Sequence, residues 1–163
     1  MSQRDPYQFH IMQQADTALF NRWRARPHVL EWWGEDDEED EQALASALVN
    51  RWIVHLNGRP FAYIQDYAVH GWPFDHHFAH LPKGSRGIDQ FIGEPDLLGQ
   101  GHGSAFIAAH VANLFNAGAP VVATDPDPEN TRAIAVYEKV GFRAYADPFD
   151  SDWGRILPMK ATR

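Results

Sequence analysis

Gly99-Gln100-Gly101-His102-Gly103 stands directly before a long apolar-periodic segment, Ser104 to Asn116. Glycines at alternate positions let a backbone approach a ligand closely. The helix start behind them offers unpaired N–H groups at a positive dipole end. Together these make a cradle for a phosphate, although a tight turn alone would use the same residues. Neither common nucleotide template fits: no Lys-Ser/Thr follows the glycines, and the order is not G-x-G-x-x-G. A second chemical cluster lies upstream, where Asp75-His76-His77 and His80 share a long irregular stretch. Three imidazoles and a carboxylate could take a zinc ion, serve as base or substrate contact, or stand in solvent. Their close spacing lacks the ligand and outer-shell pattern of a zinc site, so no metal is expected. Three further groups stand out. Asp89 lies in Gly87-Ile88-Asp89-Gln90, Asp125 opens Asp125-Pro126-Asp127-Pro128, and Tyr137 lies in the segment that Asn130 can start. The plain alternatives are an Asp-Pro turn opener for Asp125 and an amphipathic-helix aromatic for Tyr137.

The elements that must position these groups can be read in order. Tyr7 to Met12 alternates apolar and polar residues, which predicts a first strand. Asp16 is a candidate N-cap for a helix from Thr17 to Arg24, and Pro27 separates it from a short helix over His28 to Trp32. Glu35 to Glu41 is an unbroken acidic run. It reads as a solvated loop leading into a helix from Glu41 to Val49, with an acidic lid for a polyamine as the functional alternative. Trp52–Leu56, Asn57-Gly58 and Phe61–Tyr67 predict a hairpin closed by a type I′ turn. The stretch from Val69 to Arg86 is longer than a structural connection needs and points to function. Strands are expected at Gly87–Ile92 and Val121–Thr124, with helices at Ser104–Asn116 and around Tyr137. A terminal strand pair, Phe142–Ala146 and Arg155–Lys160, is expected around a turn at Asp147–Trp153.

Composition bounds the classes. A chain of 163 residues with 44% hydrophobic and 22% charged residues suits one soluble domain, residues 1–163. No run is apolar enough to cross a bilayer, no export signal is visible, and there is no cysteine, so a cytoplasmic enzyme without disulfides or a thiol nucleophile is expected. A formal charge of −8 argues against a nucleic-acid partner and slightly favours a small cationic ligand. Oligomeric state leaves no trace in the sequence.

Strand, glycine loop, helix, strand, then Asn130 and Tyr137 on a helix ending Lys139-Val140-Gly141-Phe142 resembles the GNAT superfamily of N-acetyltransferases. The segments GIDQFIG, LLGQGHG, TDPDPEN and RAIAVYEKVGF, with Glu31-Trp32-Trp33-Gly34, look most like the aminoglycoside 6′-N-acetyltransferases and their siderophore-biosynthesis relatives. The resemblance implies an α/β fold. It would be a mixed, mostly antiparallel sheet of about seven strands flanked by helices, with a splayed strand pair at the acetyl-CoA slot. It implies direct transfer from acetyl-CoA to a small amine, an aminoglycoside first. The alternatives are an N-hydroxylysine-type siderophore precursor and a module that binds acetyl-CoA without turnover.

The same resemblance implies residue roles. Backbone amides from Leu98 through Gly99, Gln100, Gly101, His102, Gly103 and Ser104 would hold the pyrophosphate. A backbone N–H of Phe91 or Ile92 would polarise the thioester, and Asn130 with Ala133 would meet the pantetheine arm. Tyr137 would protonate the leaving thiolate, and Asp89 would hold and help deprotonate the amine. Asp125, Asp75, His76, His77, Trp32 and Trp33 would line the acceptor site, with Trp33 in the pocket and Trp32 in the core. Two carboxylates on neighbouring strands suit a ligand with several ammonium groups. The histidines replace a glutamate cluster of the aminoglycoside enzymes.

Overall fold

The computed structural model describes residues 5–33 and 46–163. The acidic run Glu35–Glu41 therefore lies outside the described residues. So does the helix expected at Glu41–Val49, apart from its end: residues 46–48 are not helical, and Val49 opens a strand.

In chain order the elements are β1 (Tyr7–Ile11), α1 (Thr17–Arg24), α2 (Pro27–Trp33), β2 (Val49–Leu56), β3 (Arg59–Ala68), β4 (Arg86–Ile92), α3 (His102–Asn116), β5 (Val121–Thr124), α4 (Thr131–Val140), β6 (Arg143–Ala144), β7 (Phe149–Ser151), β8 (Gly154–Ile156) and β9 (Met159–Thr162). Short 3₁₀ turns cover Gln14–Asp16 and Pro95–Leu97. Seven strands form one mixed sheet in the order β1-β2-β3-β4-β5-β9-β6, while β7 and β8 form a separate hairpin. The expected α/β architecture is observed. One detail differs: Arg143–Ala144 pairs with Lys160 and Met159 of β9, and the stretch read as a turn at Asp147–Trp153 holds most of the β7–β8 hairpin. The segment is only a few residues long per strand, too short for an alternation pattern to be visible.

Contacts divide the chain into two compact units. The first comprises the described residues up to Gln65 together with Gln90–His102. In it, β1 pairs antiparallel with β2 from Tyr7↔Leu56 to Ile11↔Trp52. The β2–β3 turn takes positive φ at Asn57 (50°) and Gly58 (88°), as a type I′ turn requires. Its core gathers Met12, Phe20, Trp23, Val29, Ile53, Tyr63 and Phe91, with Leu19 and Trp33 packed against it.

The second unit comprises Asp66–Asp89 and Gly103–Arg163. Its β4 and β5 run parallel, in register at Arg86↔Val122 and Gly87↔Ala123, and all four residues of β5 are buried. Such strands, covered on both faces, read as continuous apolar runs. At the next residue of β4 the carbonyl of Ile88 accepts from the Thr124 hydroxyl at 3.2 Å. β9 pairs antiparallel with β5, from Val121↔Thr162 to Thr124↔Met159.

Candidate active site

In the first unit the C-terminal end of β4 is held by α1 and α2. The Phe91 ring is stacked on Tyr63 at 5.3 Å and meets Trp33 edge-on at 5.0 Å. His28 Nε2 donates to the Ile92 carbonyl at 2.8 Å, and Arg26 donates to the Gly93 carbonyl at 2.7 Å. A Cβ at Gly93 would overlap the Trp23 indole, so only glycine allows that approach. Trp23 Nε1 and Arg26 both donate to Glu94, at 2.9 and 3.0 Å. Burial opposes ionisation of Glu94, yet these bonds and the charges of Arg26 and Arg59 hold its carboxyl below the usual range. Arg59 also grips Asp96 with two bonds of 2.9 Å.

The glycine loop follows. Gly99 and Gly101 take φ of 72° and 84°, and a Cβ on Gly101 would meet nothing within 4 Å. The backbone there faces open space, as a phosphate cradle needs. α3 begins at His102, two residues before the start expected at Ser104. Tyr7 Oη and His102 Nδ1 are 2.8 Å apart, and Phe61 lies edge-on to the same imidazole at 5.8 Å. The burial expected of the paired tryptophans is reversed: Trp33 packs on the core, while Trp32 is 43% exposed. On a seven-residue helix adjacent side chains point about 100° apart, and sequence alone does not say which one faces inward.

In the second unit a cluster of acidic and phenolic groups surrounds the C-terminal end of the β4–β5 pairing. Asp125 follows β5 directly and is bonded to His77 Nε2 at 2.9 Å; their side chains are 14% and 10% exposed. Asp89, on the neighbouring strand β4, lies close enough to act on the Asp125 carboxyl. Burial pushes Asp125 up to about 7, against the pull of its bonds to Asp89 and to its own backbone. Burial lowers His77, against the opposite pull of Asp89 and Asp152. Burial thus works against the charged form of both partners in this contact.

Tyr67 lies over this cluster. Its ring occupies the space that a Cβ on Gly87 would need, which explains a glycine inside a strand. Burial, then the charges of Asp125 and Asp89 and the phenols of Tyr137 and Tyr145, raise the Tyr67 hydroxyl well above its ordinary value. Tyr145 is pushed up to about 12 by burial and by Asp125. Tyr137 is 4% exposed on α4, edge-on to Phe142 at 5.5 Å. Asn130 caps that helix, its Oδ1 accepting from the Ala133 amide at 3.2 Å. Asp125, Asp89, Tyr137, Tyr67 and Tyr145 thus converge, and the last two had not been expected. The signal that could have found Tyr67 was Gly87, a glycine in a strand where another group must come close.

The Asp75–His80 stretch behaves differently from a set of ligands. Asp75 and His80 are exposed, whereas His76 is 8% exposed. His76 Nδ1 accepts from the Phe78 amide at 3.1 Å. Its ring stacks on His77 at 4.4 Å and packs near Tyr67, Trp72, Phe74 and Trp153. Burial, then the neighbouring His77, push it down to about 4. It is a neutral aromatic filler, and His77 is the histidine that reaches the carboxylates. Among the described residues no three acidic or imidazole groups converge to hold a metal ion, and no helix is long and apolar enough to cross a membrane.

Residues 12–147 match the acetyltransferase (GNAT) domain family. The aminoglycoside N(6')-acetyltransferase type 1 of Klebsiella pneumoniae is 36% identical over 170 residues, covering 98% of this chain and 84% of the relative. Among solved structures, AAC(6')-Ib in complex with ribostamycin and coenzyme A has a TM-score of 0.87 at 32% identity, covering 98% of this chain and 94% of that one. AAC(6')-Ib with coenzyme A and kanamycin has a TM-score of 0.84 at 32% identity, covering 96% and 95%.

Proposed function

The chain belongs to the GNAT family of acetyltransferases, and from that premise we propose that it moves the acetyl group of acetyl-CoA to the 6′-amine of an aminoglycoside. It is an N-acetyltransferase that uses acetyl-CoA; the acceptor and the residue roles are our reading. The single observation that carries the acceptor assignment is the placement of two acidic side chains on neighbouring strands, Asp89 on β4 and Asp125 directly after β5. A ligand with several ammonium groups is the natural complement of two neighbouring carboxyl groups. The likeness to enzymes solved with ribostamycin and kanamycin supports the same acceptor.

In this reading the whole chain, residues 1–163, acts as one catalytic domain. The amides of Leu98–Ser104 hold the pyrophosphate of acetyl-CoA, a role supported by positive φ at Gly99 and Gly101 and by the open space beside Gly101. Asn130 turns Oδ1 to its helix and keeps its amide nitrogen for the pantetheine arm. Phe91 and Ile92 present a backbone N–H to the thioester carbonyl. Asp89 takes the ammonium proton, directly or through water, and the amine nitrogen then attacks the carbonyl carbon. The C–S bond breaks, and Tyr137 gives its phenolic proton to the departing thiolate. With no cysteine in the chain, transfer is direct. Asp125 and His77 line the acceptor site, with Trp32 and the exposed Asp75 at its margin. We place the protein in the cytoplasm, where acetyl-CoA is found and a cysteine-free chain loses nothing.

Release of free thiol from acetyl-CoA, measured against aminoglycosides, N-hydroxylysine, lysine and linear polyamines, tests this. Turnover confined to aminoglycosides with a free 6′-amine is expected. Turnover with N-hydroxylysine alone would overturn the acceptor assignment, and binding of acetyl-CoA without turnover of any amine would leave only a binding module.

A further inference from the structure

Resting on the reading that a backbone N–H of Phe91 or Ile92 polarises the thioester, we infer that His28 is a positioning residue for that donor. Its imidazole sets the peptide plane next to the one that does the work. His28 Nε2 lies 2.8 Å from the Ile92 carbonyl oxygen. A carbonyl only accepts, so Nε2 carries the proton and donates. At the other end of the same Ile92–Gly93 peptide, the Gly93 N–H donates to the Phe61 carbonyl at 2.7 Å. That peptide is therefore gripped at both its oxygen and its nitrogen. The following peptide is gripped likewise, by Arg26 at the Gly93 carbonyl (2.7 Å) and by Phe61 at the Glu94 N–H (3.2 Å).

On the other side, the Phe91 ring is wedged among Phe20, Trp23, Trp33 and Tyr63, at centroid distances from 5.0 to 6.2 Å. The Phe91–Ile92 peptide lies between two immobilised neighbours, and the direction of the Ile92 N–H follows from theirs. Of these grips, the two at carbonyl oxygens, Ile92 and Gly93, are made by side chains. The interior of a parallel sheet would supply a neighbouring strand's N–H at such a carbonyl. A histidine does so here, from the first turn of α2. It satisfies the carbonyl oxygen, while β3 satisfies the N–H at the other end of the same peptide. Aim matters to a donor in a transition state: a shift of about 1 Å can cost roughly 10²-fold in rate.

The test is the infrared carbonyl stretch of acetyl-CoA, isotopically labelled in the acetyl group and bound to the intact protein without an amine, read beside kcat and the affinity for coenzyme A. Coenzyme A has no acetyl carbonyl, so its affinity reports on the fold and the pyrophosphate cradle alone. The wild type is expected to lower the stretch relative to free acetyl-CoA. His28→Phe, which keeps a ring and loses the donor, should return it most of the way and lower kcat about tenfold, less than the loss of an oxyanion donor itself. Coenzyme A affinity should be unchanged. His28→Gln, whose amide can replace the Nε2–H, should restore both stretch and kcat. A His28→Phe variant with wild-type stretch and kcat would overturn the inference while leaving the backbone-donor reading intact. An unshifted stretch in the wild type would sink that reading, and the inference with it.

Discussion

Two aspartates in the same unit have met opposite fates. Asp66 is 1% exposed and is bracketed by Arg86 at 2.6 Å and His110 at 2.8 Å. Asp125 is 14% exposed and meets a lowered histidine and a second carboxyl group. The first is a charge compensated on both oxygens, tying β3 to the start of β4 and to α3. The second is a carboxyl group that burial has pushed up to about 7. A fold that only had to be stable would treat both like Asp66. In the proposed function, Asp125 beside Asp89 is where a cationic partner would gain binding energy.

Four substitutions probe that contrast. Asp66→Asn should have the largest effect, because it leaves Arg86 and His110 facing a group with no charge. A loss of about 3–5 kcal/mol in denaturant unfolding is expected, with specific activity of the folded fraction retained. Asp125→Asn should act in the opposite sense on stability. The folded value of Asp125 is raised from 3.8 to about 7, so the wild type bears no penalty below about pH 4. It loses stability as pH rises through that window and carries the full penalty, roughly 4 kcal/mol at most, above about pH 7. The asparagine variant should show a flatter unfolding profile between pH 4 and 8. In the wild type, acceptor affinity should strengthen as pH rises through about 7, a trend the variant should lose.

Asp89→Asn should lower kcat/KM on the order of 10³-fold, with little change in midpoint temperature, if Asp89 receives the ammonium proton. Tyr137→Phe should lower kcat on the order of 10²-fold with coenzyme A affinity unchanged, as loss of an acid for the leaving thiolate requires. Equal stability losses for Asp66→Asn and Asp125→Asn would erase the contrast.

The parts legible in the sequence are those whose cause is local. Asn57-Gly58 demands positive φ, the alternate glycines before α3 demand an open backbone, and Asn130 caps three residues ahead. The apolar run at Val121–Thr124 announces a strand buried on both faces. What stayed hidden depends on partners far apart in the chain. Asp66 meets His110 across 44 positions, and His77 meets Asp125 across 48. No spacing rule links such residues. Asp89 and Asp125 are expected from the resemblance, but the raised value of Asp125 is a consequence of burial, which a sequence does not display. His76 and His77 look equivalent as neighbours, and only packing assigns one to the aromatic cluster and the other to the carboxylates.

The central claim is that the Asp89–Asp125 pair holds a proton in the free protein and releases it to solvent when a polycation binds. Infrared difference spectroscopy of the protonated-carboxyl band, followed from pH 5 to pH 9 with and without kanamycin, tests it most directly. We expect a band that titrates near pH 7, disappears in Asp125→Asn, and bleaches at pH 6 when kanamycin binds. A protein with no protonated carboxyl at pH 6, or one whose band survives saturation with kanamycin, would contradict the account.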